Sequence, residues 1–229
     1  MNYVSGDLRD QLAHVGFDVV RAGLVVGSGG NLSARVPGLD LCWVTAAGTW
    51  LDRLDRRSFV QVRLSDGAVV AADPAAPAGP AGAAGPAGDG ARPDAVPTSE
   101  LALHLATYRA RPDVHAIIHL HPQTVLLLDA AGERIRLVTT DHAFYVRDVV
   151  TTPYRPPGTT ELATEAAAAA AGGVNCVVLS HHGCSVLADS VELAHKRVRN
   201  LEEAAQLTYR ALVAGVLPTL AESPTPTSA

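Results

Sequence analysis

Two short segments gather histidine: V-H-A-I-I-H-L-H-P at 114–122 and S-H-H-G at 180–183. The first reads as a buried strand. Side chains two apart on a strand point the same way, so His119 and His121 form a natural pair of metal ligands. The β-branched Ile117 and Ile118 stiffen that strand, and Pro122 stops it, leaving the pair at an edge that substrate can reach. Taken alone, H-x-H also describes a core histidine bonded to backbone beside an exposed one. Five of the nine histidines, however, fall at 115–121 and 181–182, each group at a strand end. Two histidines from one strand end and one from another make a three-histidine site with a position open for substrate. Neutral imidazole suits zinc or a similar divalent ion.

Three further segments carry polar chemistry. P-T-S-E at 97–100 opens a helix running through 109, with Thr98 or Ser99 as a ready N-cap. Glu100 favours the dipole of that helix. In a functional reading it faces the metal, while the two hydroxyls and the helix N-terminus bind phosphate. G-S-G-G-N-L-S at 27–33 is either a tight turn or an anion-binding nest of backbone N–H groups. It matches neither G-x-G-x-x-G nor a P-loop. The turn T-T-D-H-A-F-Y at 139–145 combines an acid, an imidazole and a phenol.

The elements that must position these groups alternate between helix and strand patterns. Apolar periodicity predicts helices over 8–24, 101–109, 122–129, 161–171 and 191–214, with Asp7 near the start of the first and Ser190 capping the last. Strand patterns fall at 32–36, 39–45, 59–64, 114–121, 136–139, 146–150, 175–180 and 184–187, with a hairpin turn at 65–67 leading into 68–71. Residues 73–96 are Pro/Gly/Ala low complexity without large side chains, expected as a surface insertion of no assigned function. The tail 219–229 is expected to be disordered.

The 229 residues fit a single domain spanning 1–218, and a chain that is 48% hydrophobic and 18% charged supports a sizeable core. A net charge of -5 gives no basic footprint for nucleic acid. Residues 1–10 are too polar for a signal peptide, and the alanine run at 166–171 is too short to span a bilayer. Three cysteines, Cys42, Cys176 and Cys184, without C-x-x-C spacing, read as buried thiols in a reducing compartment. The expected setting is cytoplasmic, with neither nucleic acid nor membrane as partner.

With five motifs in order, G-S-G-G-N-L-S (27–33), V-T-A-A-G (44–48), P-T-S-E (97–100), H-L-H-P (119–122) and S-H-H-G (180–183), the chain resembles the class II aldolase/adducin family, as in fuculose-phosphate aldolases. The resemblance covers nearly everything but the insertion and tail. It implies an α/β/α three-layer fold with a mostly antiparallel central sheet and a homotetramer with active sites between subunits. It also implies that His119, His121 and His182 bind Zn2+ or another divalent metal, with His181 a neighbour. Glu100 would lie next to the metal as ligand or acid/base group, and Gly30, Asn31, Gly48, Thr98 and Ser99 would hold the substrate phosphate or carboxylate. The implied reaction is cleavage of a ketose 1-phosphate or related sugar to dihydroxyacetone phosphate and an aldehyde, through a metal-stabilised enediolate. A decarboxylase, dehydratase or 4-epimerase uses related chemistry, and a non-catalytic adducin-like module would lack the ligands. Two positions depart from the aldolase pattern: Ala47 replaces a hydroxyl, and no tyrosine follows Tyr209 in the tail. Asp141, His142 and Tyr145 are the candidates for the missing proton donor; their alternative is an ordinary structured turn.

Overall fold

The computed structural model describes residues 5–70 and 95–224. Its first half comprises α1 (Leu8–Arg21), β1 (Asn31–Arg35), β2 (Leu41–Thr45), β3 (Phe59–Arg63), α2 (Leu101–Ala110) and β4 (Ala116–Leu120). Its second half comprises α3 (Gln123–Ala130), β5 (Val149–Thr152), α4 (Thr160–Ala171), β6 (Cys176–Leu179), β7 (Gly183–Ala188) and α5 (Val191–Val213). The strands form one sheet in the order β3-β2-β1-β4-β7-β6-β5. Every neighbouring pair is antiparallel except β5 with β6.

Helices cover both faces, giving the α/β three-layer architecture. Alternation along β4 shows why its sequence reads as an unbroken apolar run. Ile118 and Leu120 pack with Leu12 and Val15 of α1, Val125 and Leu128 of α3, and Val198 and Leu201 of α5. Ile117 turns the other way, toward Leu103, Leu105 and Tyr108 of α2 and Leu162 and Ala166 of α4. A strand buried on both faces needs apolar side chains at odd and even positions alike. Each such Leu or Ile contributes roughly 1.5–3 kcal/mol of burial free energy. The three cysteines are buried and free, and burial is the largest cause pushing the Cys42 and Cys176 thiols up to about 12.

Several local expectations are corrected. Residues 133–138 are irregular rather than a strand at 136–139; the Arg136 N–H donates to Thr208 Oγ1 at 2.8 Å instead of to a neighbouring strand. Buried Ile135 and Leu137 produced the alternation. His142–Val146 winds into one π-helical turn, which delays β5 to Val149. After β3 the expected hairpin return is reduced to a bridge between Val62 and Val69. At α2 the N-cap position is Glu100 without a side-chain cap, while Thr98 Oγ1 accepts the Glu100 N–H at 3.3 Å. The 219–224 part of the tail makes contacts: Ser223 N–H donates to Leu137 O at 2.8 Å, and Glu222 pairs with Arg134 and Arg136. Residues 71–94, most of the expected insertion, and 225–229 lie outside the described residues. Among the described residues no helix is long and apolar enough to cross a membrane.

His104 and His142 are fully buried, and burial is the main cause that lowers both imidazoles, His104 from 6.5 to about 3. An unfolded chain binds a proton near 6.5 that folded His104 refuses down to about 3. Stability is therefore fully present above the unfolded value and is lost as pH falls below it. Urea midpoints should fall as pH drops from about 7 to about 5, at up to ~1.4 kcal/mol per pH unit for each such group. A flat profile across that window would contradict this burial.

Candidate active site

The site is built where three turns meet the end of β4. His119 is the penultimate residue of β4 and His121 lies just beyond it. His182 comes from the turn joining β6 and β7, in which His181 takes a left-handed backbone (φ 56). Asp129, near the end of α3, braces that turn: its Oδ2 accepts the His181 N–H at 2.7 Å and the Ser180 hydroxyl at 3.3 Å. Gly183 must be glycine for lack of space. A Cβ there would lie 2.4 Å from Leu120 O and 2.6 Å from His121 Cδ2. Gly30 meets the same limit from the other side, with φ +78 and a Cβ position 2.6 Å from His119 O.

The side chains of His119, His121 and His182 converge, offering ligand nitrogens that all lie within 4.8 Å of one another. The Nε2 atoms of His119 and His121 are 3.1 Å apart. Glu100 enters from the start of α2, 5% exposed, with Oε2 2.8 Å from His119 Nε2 and Oε1 3.4 Å from His182 Nε2. Asn31 Nδ2 donates to Oε2 at 3.2 Å, whereas Oε1 is buried without a hydrogen-bond partner among the described residues. Burial pushes the Glu100 carboxyl up. The hydrogen bond and charge of His119, the charge of His182 and the Asn31 amide together outweigh it and hold the group below the usual carboxylate range. Burial, followed by the neighbouring imidazoles, lowers His121 to about 4 and lowers His182 as well. His181 is exposed and faces Tyr154, with ring centroids 6.4 Å apart.

A cavity of about 360 Å³ opens over this cluster and is lined by Gly30, Asn31, Gly48, Thr98, Ser99, Glu100, His121 and His182. One pocket thus gathers the five expected anion-binding positions, the carboxylate and two of the imidazoles. Ser28, Thr45, Thr49 and Pro157 also line it and were not singled out from sequence. A wider cavity of about 790 Å³ lies across the 46–49 turn, beside Trp50, Arg53 and Arg57. It contains no histidine, so size is a poor guide to the chemistry here. The 141–145 turn does not line the histidine pocket. His142 is fully buried, with Nε2 3.6 Å from Glu203 on α5. Asp141 is exposed, Tyr145 is half-buried with its carbonyl bonded to Arg197 at 2.9 Å, and Phe144 is 54% exposed.

The sequence profile of the Class II Aldolase and Adducin N-terminal domain matches residues 10–209. The chain belongs to this family. It is 30% identical over 184 residues to an L-fuculose phosphate aldolase of Methanocaldococcus jannaschii, covering 80% of this chain and 86% of that protein. It is 27% identical over 211 residues to a 3-oxo-tetronate 4-phosphate decarboxylase of Escherichia coli K12, covering 90% and 88%. A solved L-fuculose 1-phosphate aldolase superposes with a TM-score of 0.76 at 26% identity, covering 97% of this chain and 92% of that one.

Class II aldolases use a divalent metal, and the residues present fit one. Tetrahedral zinc with Zn–N near 2.0–2.1 Å places ligand nitrogens about 3.3 Å apart. The 3.1 Å separation of His119 and His121 is close to that spacing. Glu100 Oε1, buried without a hydrogen bond and 3.4 Å from His182 Nε2, also suits a cation or proton nearby.

Gly183→Ala should cost roughly 1–3 kcal/mol in denaturant unfolding and release metal by elemental analysis, because Leu120 and His121 must move. Gly172→Ala, with nothing within 4 Å of its Cβ, should change neither. Full metal content and stability in Gly183→Ala would refute this steric assignment.

Proposed function

We propose that the protein is a divalent-metal-dependent lyase, with zinc the preferred ion, that cleaves a ketose 1-phosphate or related sugar to dihydroxyacetone phosphate and an aldehyde. The observation that carries this reading is Glu100 Oε1, buried without a hydrogen bond beside three converging imidazoles under an open pocket. His119, His121 and His182 would hold the ion, which when bound polarises the substrate carbonyl as a Lewis acid. Glu100 handles the proton at carbon: ionised in the resting site, it takes up one proton from solvent and, once the carbon–carbon bond breaks, gives it to the carbon that keeps the electron pair. Gly30, Asn31, Gly48, Thr98 and Ser99 hold the anionic end of the substrate. Ser28 and Ser99 bring hydroxyls to a lining where Ala47 brings none.

Aldol cleavage also needs a group to take the substrate's hydroxyl proton as the aldehyde forms. Asp141 and Tyr145 are our candidates, acting on the pocket of a neighbouring subunit in a cytoplasmic homotetramer, since their turn does not line the pocket of its own chain. The second reading is decarboxylation of a 3-oxo acid phosphate, favoured by the relative of that name matched over 90% of this chain. It breaks a bond to carboxylate and returns the same proton, but requires no base for a hydroxyl.

The deciding assay offers phosphorylated and non-phosphorylated ketoses and 3-oxo acids, reading dihydroxyacetone phosphate and carbon dioxide with and without chelator. We expect dihydroxyacetone phosphate release that chelator abolishes and zinc restores. Glu100→Gln should lower kcat by roughly 10²–10⁴ while metal content is kept. Chelator-resistant cleavage would overturn the metal mechanism; carbon dioxide without dihydroxyacetone phosphate would establish the second reading.

A further inference from the structure

Behind Glu100 a line of polar groups crosses the otherwise apolar interface between α2 and β1. Residues four apart on a helix share a face, and residues two apart on a strand share another. Glu100, His104 and Tyr108 therefore meet Asn31 and Ser33. Asn31 Nδ2 is 3.2 Å from Glu100 Oε2, and Asn31 Oδ1 is 2.5 Å from His104 Nε2. His104 Nδ1 is 2.6 Å from Ser33 Oγ, which is 2.8 Å from the Tyr108 hydroxyl. All five residues are buried, with His104 and Ser33 at 0% exposure and Tyr108 at 1%.

Hydrogen-bond chemistry leaves this line one polarity. An ionised carboxylate only accepts, so the Asn31 amide must present its NH2 to Glu100 and its oxygen to His104. His104 Nε2 must then carry hydrogen. In a neutral ring Nδ1 accepts, so the Ser33 hydroxyl donates to it, and the Tyr108 hydroxyl donates to Ser33. The reverse direction would send the Tyr108 proton onward, and its hydroxyl has no further hydrogen-bond partner among the described contacts.

We propose that His104, fixed in its Nε2–H form by Ser33 and Tyr108, is a positioning residue that locks the Asn31 amide onto Glu100 Oε2 and so reserves Oε1 for the reacting proton. This rests on the proposed role of Glu100 as the group that moves a proton at carbon. A flipped Asn31 would set its oxygen against the carboxylate, and the repulsion would turn Glu100 or force a proton onto it.

The tautomer is read directly from long-range 15N–1H correlations of the imidazoles in the 15N-labelled, metal-free full chain. We expect His104 as Nε2–H; an Nδ1–H or doubly protonated ring would overturn the relay. In the zinc-loaded enzyme, His104→Phe should lower kcat at least about tenfold, with KM within about twofold and zinc content unchanged. His104→Gln, whose amide can donate to Asn31 and accept from Ser33, should recover most of that loss. Equal kcat in the two variants would refute positioning. If His104→Phe fails to fold, Tyr108→Phe removes the terminal donor alone and should give a mixed His104 tautomer; a pure Nε2–H ring there would deny Tyr108 its role. If the wild type shows no lyase activity, the proposed reaction falls while the tautomer still decides the relay.

Discussion

Burying a carboxylate costs more than a single hydrogen bond returns, and Glu100 is a carboxylate left 5% exposed. Its retention requires donors or cations on more than one side, and the fold supplies them from separate parts of the chain. Asn31 and His119 are direct partners across β1 and β4, and β7 pairs with the other edge of β4, next to the turn that carries His182. Strand order therefore answers an electrostatic demand: segments at 31, 119 and 182 must be spatial neighbours for the charge at 100 to be tolerated.

That demand reaches into the hydrophobic interior. The face of α2 that seals one side of the sheet is not purely apolar, because His104 and Tyr108 stand among Leu103, Leu105 and Ile117. A buried polar line is stabilising only if every member is satisfied. From Tyr108 through Ser33, His104 and Asn31 to Glu100 Oε2 each link pairs a donor with an acceptor, so the apolar surroundings strengthen those bonds. On the opposite sheet face the same logic acts at a helix start: Glu202 of α5 accepts from Thr124 N–H at 3.3 Å, Thr124 Oγ1 at 2.6 Å and Val125 N–H at 3.2 Å. These bonds anchor α3 just after the His121 turn, and Asp129 of α3 in turn braces the turn bearing His182.

Much of the architecture was legible from local signals. Asp7, Thr159 and Ser190 cap their helices as short polar side chains before periodic segments should, and β4 and β6 are continuous apolar runs. Failures arose where tertiary context replaced a local rule. Residues 136–139 alternate like a strand, yet Thr208 on α5 takes the Arg136 N–H that a neighbouring strand would have taken. In the helix predicted over 101–109, Leu101 is only half-buried, and Tyr108 is there for its hydroxyl as well as its ring. A signal for the relay was present in the four-residue spacing of Glu100, His104 and Tyr108 beside the two-residue spacing of Asn31 and Ser33. Periodicity cannot say that the two patterns face each other.

The pocket lining explains why related chemistries sit close together on such a frame. Among its described residues are hydroxyls from Ser28, Thr45, Thr49, Thr98 and Ser99, but Thr45 Oγ1 already accepts the Leu32 N–H and Thr49 Oγ1 donates to Ala46 O. Glu100 is the one carboxylate of that lining, and no tyrosine joins it. With the role proposed for Glu100, the described lining offers one group for a proton at carbon and none for a hydroxyl on the far side. Reactions that break a bond to carbon and return a single proton need nothing more from this lining. Those that must also collect a hydroxyl proton depend on a group arriving from outside it. On that reading, choice among such reactions depends less on the histidine cluster than on what closes the open side of the pocket.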